Sequence, residues 1–464
     1  MIKLNYFFLS LFSLIPCLAN AAPFLDAFNL QTEYNNQPLT AFDNPRYVNG
    51  PLIISNPGIY ALNANINFDP ALPNQTCIEI NTDNVILDLN RKTISQLTSN
   101  TQPGTRGISI NNNAHNVVVR NGAIADMTEY GIYINDGGDV INLLNLTIDG
   151  VGVAGIFFDG SQTGTGISNI SCSNIQVDEV FNSSGNPTYG LITKFCNIVD
   201  LNQCIITNLT TTTGNCYAIK IKNCQSVRCS SCITTENSSG ASRTYGFHFL
   251  DSNPCLLNNC LSANNTSTSS DPSAVCAGFI FENSQNLVCN NCAATSNNCT
   301  FTAVGFTFLN CITTEIIDCQ SLSNTSSFLD GIGFAIQEGS VNGLLGCISL
   351  TNAGLNNAYG YLFLNTLASG IDSCIAQVNT GSLGAYGIAL IATGSCLINQ
   401  NKIIGHIAPN GFGIFDDAGS GTTNTILGNY ALKNSTNYSP GSPTIPVFIG
   451  PLTTTPSPFE NISL

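Results

Sequence analysis

The chain has 464 residues, only 9% of them charged, with 13 basic against 28 acidic side chains and a formal net charge of −15. That balance excludes a duplex nucleic-acid partner, which requires a basic stripe. The 43% hydrophobic content excludes disorder, which goes with low hydrophobicity and high net charge.

Residues 1–21 read as a secretory signal: Lys3, an apolar run from Tyr6 to Leu18, then the small-x-small site Ala19-Asn20-Ala21. Pro16 stands where a lipoprotein signal preceding Cys17 would need a small residue, so lipidation is not expected. The run is too short to span a membrane, and no later stretch reaches that length, so no transmembrane segment is expected. The expected location is exported: secreted, periplasmic or cell-surface. Residues 22–75 read as an N-terminal cap with first strands, 76–435 as a repeat array, and 436–464 as a Pro-rich C-terminal tail. Pro440, Pro443, Pro446, Pro451, Pro456 and Pro458 argue against a regular strand ladder in that tail.

The array is marked by a recurring Gly-apolar-x-apolar phrase. It begins at Gly107-Ile108-Ser109-Ile110 and Gly131-Ile132-Tyr133-Ile134, and continues through Gly246-Phe247-His248-Phe249 and Gly278-Phe279-Ile280-Phe281 to Gly413-Ile414-Phe415. Cys77-Ile78-Glu79-Ile80 is an earlier, less regular copy. Successive phrases begin 24 to 28 residues apart except for two longer intervals of 35 and 32, and a period of this size implies a solenoid, propeller or array. Alternation of apolar and variable positions implies a strand buried on one face. Helical spacing is missing, the leucine-rich frame is missing, and propeller blades need longer repeats. The expected fold is all-β: a right-handed single-stranded parallel β-helix of about 12–13 coils by this count of phrases.

A second column follows fourteen residues after each phrase begins: Cys204, Cys232, Cys260, Cys292, Cys319, Cys347 and Cys374. Asn121 and Asn145 are placed in that column earlier and Asn401 later, with Cys172 joining if Gly164–Gly166 form a bulge. Phe247, Phe279, Phe306 and Phe334 form another stack, beside Phe249, Phe281 and Phe308. These ladders, with the phrase Asn84-Val85-Ile86-Leu87-Asp88-Leu89-Asn90-Arg91-Lys92-Thr93-Ile94, make residues 50–435 resemble the right-handed parallel β-helix, or pectin-lyase-like, superfamily. The resemblance implies the fold but no one activity, since the superfamily holds lyases, hydrolases, epimerases and non-catalytic surface proteins.

Stacked cysteines stand about 4.8 Å apart, wider than the roughly 3.8 Å between Cβ atoms that a disulfide takes, so the column is read as buried thiols acting as small apolar residues. Bridges outside it, at Cys216, Cys276 or Cys299, are left open. Cys229-x-x-Cys232 and Cys289-x-x-Cys292 have zinc-like spacing, but each second Cys belongs to the ladder, so no metal is expected. No cofactor is expected either.

If the phrase's apolar positions point inward, its third position and the residue after it point outward. Those positions bring Asp159, Lys194, Lys220, Lys222, His248 and Glu282 onto consecutive coils, with Tyr133 and Phe157 before them. Two longer intervals place Asn182–Pro187 and Asn264–Ser273 as candidate groove walls. Lys220, Lys222 and His248 are the candidate catalytic residues, since clustered lysines neutralise uronate carboxylates and lower one another's pKa. Asp159, Lys194, Glu282, Tyr133 and Phe157 are the candidate substrate-binding residues. The remaining outward positions (Ile280, Leu309, Leu362, Leu364, Ile391) are apolar, which calls for cover by the tail, a loop or a partner chain, so an oligomer is among the expected states. Polygalacturonase-like patterns are absent: Asn81-Thr82-Asp83 and Asp416-Asp417 lie at opposite ends, and none of His115, His248 and His406 adjoins a paired carboxylate. The favoured reading is an exported β-helix binding glycans or another surface component through its lateral face. The alternative is a lyase or epimerase acting on acidic polysaccharide through the Lys/His patch.

Overall fold

A computed structural model describes residues 45–97, 102–111, 114–135, 138–161, 166–417, 424–439, 447–449 and 461–463. The signal segment, part of the N-terminal cap, Asp136-Gly137, Gly164-Thr165 and most of the Pro-rich tail lie outside these residues. From Tyr47 onward the chain is one unit, a parallel β-solenoid of about 13 turns with the right-handed winding expected.

Each coil lays down three strand regions. The Gly-apolar-x-apolar phrases all fall in one 15-stranded sheet, here the motif sheet, running from Leu52–Ile54 to Thr436–Ser439. A 28-stranded sheet and an 8-stranded sheet complete the wall. The motif register follows the sequence phrases: Ile132 pairs Ile156, Phe247 pairs Phe279, and Phe306 pairs Phe334. Strands Val447–Ile449 and Asn461–Ser463 extend the long sheet, so two short Pro-free segments of the tail do join the ladder.

Three corners turn the coil, and each uses a residue with positive φ. In one coil these are Asn223, Ser231 and Glu236; in the next they are Asp251, Asn259 and Asn264. Asn and Asp tolerate this left-handed region better than most residues, which accounts for much of the chain's Asn content. The residue after a corner points into the tube, and at several corners its N–H is met by the side chain at the same place one coil on. Cys292 N–H donates to Cys319 Sγ (3.4 Å), Cys347 N–H to Cys374 Sγ (3.2 Å), and Cys374 N–H to Asn401 Oδ1 (2.9 Å). Each thiol also donates to carbonyls, as Cys347 Sγ does to Ile316 O at 3.3 Å. The ladder cysteines thus do more than fill space: they satisfy corner peptide groups. All nineteen described cysteines are free and buried.

Two placements in that ladder need correction. Asn121 and Asn145 are not in it; they are corner residues (φ 61° and 52°) one position earlier, bonded to each other and to Asn174 outside the tube. Cys172 pairs with Leu143 and Leu201, in the neighbouring column that also holds Cys229. The fixed offset failed because the earlier coils spend one more residue between the phrase and the long sheet: Val117 follows Gly107 by ten and Ile141 follows Gly131 by ten, whereas Val199, in the same column, follows Gly190 by nine.

Inside, Phe247, Phe279, Phe306 and Phe334 stack with ring centroids 4.7–4.9 Å apart and end on Tyr361, whose hydroxyl donates to Cys347 O. A buried amide ladder runs Asn237, Asn265, Asn297, Asn324, Asn352, Asn379, with Nδ2–Oδ1 distances of 2.8–3.1 Å. It stops at His406, leaving Asn379 Nδ2 and His406 Nδ1 without partners. Glycine in the phrase is required by space: a Cβ on Gly278 would lie 2.7 Å from Ala294 Cβ and 2.8 Å from Gly305 O.

Two predictions follow from these ladders. Cys374→Ala strips the acceptor from Cys347 N–H and costs about 1–3 kcal/mol, whereas Cys374→Asn keeps it; chemical denaturation of both variants checks this. Burial pushes the His406 imidazole down from 6.5 to about 4. Since the folded value lies below the unfolded one, stability is full above pH 6.5 and falls by about 3 kcal/mol as pH drops toward 4. His406→Asn restores an amide at this rung, and melting curves from pH 7 to 4 should show a shallower acid loss than wild type.

Candidate functional site

The outward columns of the motif sheet are the ones the phrase implies. One column reads Tyr133, Phe157, Ile192, Lys220, His248, Ile280 and Thr307 in register, coil on coil. The column beside it reads Asn135, Asp159, Lys194, Lys222, Leu250, Glu282 and Leu309. All eight candidate residues therefore share one face.

They gather in two adjoining clusters. In the first, Lys194 Nζ lies 3.1 Å from Asp159 Oδ1 and 4.3 Å from the centre of the Phe157 ring. Tyr133 hydroxyl donates to Asp159 Oδ2 (3.1 Å), and the Arg106 guanidinium covers the Tyr133 ring at 4.2 Å. In the second, Lys220 Nζ sits 3.9 Å above Tyr217, and the His248 ring stacks on that same Tyr217 at 5.4 Å. His248 Nε2 faces Glu282 Oε2 at 3.6 Å, a single carboxylate 34 positions on in the chain but on the next strand. His248 is only 4% exposed, and its Nδ1 has no hydrogen-bond partner. Lys222 pairs in register with Lys194, so it adjoins both clusters.

The electrostatics follow from this packing. Burial, then Lys222, lower the Lys220 ammonium to about 8, with Glu282 opposing. Burial lowers His248, while its contact with Glu282 works the other way. Glu282 is itself held below the usual carboxylate range by the His248 contact.

A third outward column was missed by simple alternation: Tyr130, Tyr189, Tyr217, Tyr245, Tyr359, Tyr386 and Phe412, each directly before the first residue of a phrase. The glycine slot and the residue after it both face the interior, so the preceding ring is left outside. The signal was present in the sequence as a repeated Tyr-Gly pair. These rings are continuous with the patch: Tyr189 stacks on Tyr217 (5.4 Å), and Tyr217 meets Tyr245 edge-on. Farther along, Ile280, Val304, Ile332, Ala335, Tyr359 and Leu362 pack together as an outer apolar layer, so much of the apolar outward stretch covers itself.

The inserted loops enter the motif sheet at Thr188–Lys194 and Val275–Glu282, after short strands of the 8-stranded sheet. An open groove of about 1090 Å³ lies elsewhere, lined by Met127, Thr128, Val151, Glu179, Phe181 and Thr210 among others, and includes none of the eight candidates.

No family model matches the chain, and no curated protein does. Among solved structures it is similar to the periplasmic alginate epimerase AlgG (9% identity, 71% of this chain and 75% of that one, TM-score 0.36). It is also similar to the Azotobacter vinelandii mannuronan C-5 epimerase AlgE6 A-module (12% identity, 83% and 92%, TM-score 0.33). The Dettilon tailspike protein is a third (10% identity, 90% and 60%, TM-score 0.25). At these identities and scores the similarities assign no ligand or activity, and the fold rests on the strand register itself.

The coupling predicts a directional test. Glu282→Gln should lower the titration midpoints of both Lys220 and His248, and Lys222→Ala should raise that of Lys220. NMR titration of the labelled side chains reads both shifts.

Proposed function

We propose that this is an exported protein, its first 21 residues removed, that binds an acidic glycan along the motif sheet. The observation that carries this reading is the file of rings and cations on consecutive coils: Tyr133, Phe157, Tyr189 and Tyr217, with Arg106, Lys194, Lys220 and Lys222 among them. The half-buried Tyr133 and Tyr189 meet sugar C–H groups, Phe157 and Tyr217 lie buried and seat Lys194 and Lys220, and the ammonium groups meet carboxylates. With a net charge of −15 the chain as a whole repels polyanions, so attraction has to be local. A polysaccharide lying along the tube would meet equivalent positions at each coil.

A second reading is favoured by one specific observation. Lys220, with a midpoint of about 8, stands in register with His248, which faces Glu282. That set fits proton removal beside a uronate carboxylate, as a lyase or epimerase requires.

Affinity electrophoresis against alginate, polygalacturonate and a neutral glucan tests both. Binding should favour the acidic polymers, weaken with salt, and fall about tenfold or more in Lys194→Ala/Lys222→Ala, about 1.4 kcal/mol. Equal retardation by neutral glucan would remove the glycan-acid reading. Ultraviolet absorbance from unsaturated uronate, lost in Lys220→Ala, would replace binding with elimination.

A further inference from the structure

We propose that Lys220 is a nucleophilic amine that forms a Schiff base with a small carboxylate-bearing aldehyde. This does not rest on the glycan reading, since it concerns one side chain and a small carbonyl compound. Four features carry it. First, Lys220 Nζ lies against ring faces, 3.9 Å from the centre of Tyr217 and 5.9 Å from that of Tyr189, and forms no salt bridge among the described residues. A lysine packed this way, without a carboxylate holding it as ammonium, is the kind that acts as a nucleophile. Second, Lys222 follows two residues later on the same outward side, also without a salt bridge among the described residues, and supplies a cation for the aldehyde's carboxylate. Third, His248 stands on the adjacent strand in register with Lys220, nearly fully buried, with Nδ1 unpartnered and Nε2 facing Glu282. Fourth, burial and Lys222 hold the ammonium near 8, so a substantial neutral fraction exists close to neutral pH.

The step balances without an outside oxidant. The Nζ lone pair adds to the carbonyl carbon, and the C=O π pair moves to oxygen. The proton lost by nitrogen passes through water to that oxygen. The hydroxyl then leaves as water with a second proton taken from solvent, while the nitrogen lone pair closes the C=N bond, and the iminium keeps the remaining N–H. His248, stacked on Tyr217 beside Lys220, and Glu282 are positioning groups; Lys220 alone bonds to the ligand.

The probe is glyoxylate with cyanoborohydride at pH 7.5, followed by peptide mapping of the full chain. Lys220 should be converted at least about tenfold faster than the exposed Lys402, because burial and Lys222 leave the Lys220 amine neutral more often than its own ordinary value of 10.5 would. Lys220→Arg, with its circular dichroism unchanged, should lose that product, and His248→Asn should slow its formation while leaving the labelling of Lys402 unchanged. Equal rates at Lys220 and Lys402 in the wild-type protein would overturn the proposal even if Lys220→Arg fails to fold. Unchanged total labelling in folded Lys220→Arg would overturn it as well. Failure of every polysaccharide to bind would leave the trapping result intact, so the two readings fail separately.

Discussion

A solenoid wall pairs its peptide groups with the coils above and below, but a corner breaks the pattern. Each positive-φ residue swings the chain through a sharp turn and aims the next N–H into the tube. An unmatched N–H in an apolar interior costs about 1–3 kcal/mol, and a long solenoid has three corners per coil. The structure meets this with inward side chains that are small and able to accept. Ser252 and Ser284 take one corner, Cys319 and Cys374 the second, and Asn237, Asn324, Asn352 and Asn379 the third. Cys, Ser and Asn can substitute for one another here because each offers an acceptor at about the same reach. The core is therefore a set of stacked acceptors interleaved with Phe and Ile, rather than a simple apolar filling.

With the inside fixed this way, the outside of each motif strand is free to vary. Its residues need only tolerate a neighbour about 4.8 Å away above and below. That freedom explains why one end of the face carries Lys194, Lys220, Lys222, His248 and Glu282 while the other carries Ile332, Leu362 and Ala389 on the same backbone. Cations are scarce in this acidic chain, and three lysines sharing two adjacent strands of one face are not needed to hold the tube together. Lys194 and Lys220 pack on ring faces, and Lys220 and Lys222 form no salt bridge among the described residues, which sets that stretch apart chemically from the rest of the wall.

Much of this was legible in the letters because a parallel solenoid converts sequence period into spatial stacking. Phe247 over Phe279 and Lys220 beside His248 could be read once the phrase was aligned. The failures came where the backbone departs from a regular count. A constant offset put Asn121 and Asn145 inside, although those coils spend one more residue between the phrase and the long sheet and so reach the corner one residue later. Reading only the phrase's own alternation passed over the tyrosines before each phrase, which lie outside because the glycine slot and the following residue both face inward. Glu282 was placed on the right face, but its contact with His248 depends on how the longer loop before Val275 is absorbed, which no pattern in the chain specifies.

The thiols have a chemical consequence of the same origin. A protein read as exported, with nineteen described cysteines and no disulfide among them, is unusual for an oxidising compartment. Thiolate is the species that attacks and oxidises, and burial makes it scarce at sites such as these: Cys77 and Cys216 are pushed up to about 12 and Cys311 to about 11. Each ladder thiol is further engaged as a donor to carbonyls, as Cys319 is to Cys289 and Cys374 to Leu344. Oxidation would remove those donors and draw two coils closer than the strand spacing, so the corner hydrogen bonds oppose it. The same desolvation acts in the opposite sense on the outer face, where burial lowers the Lys220 ammonium rather than raising it.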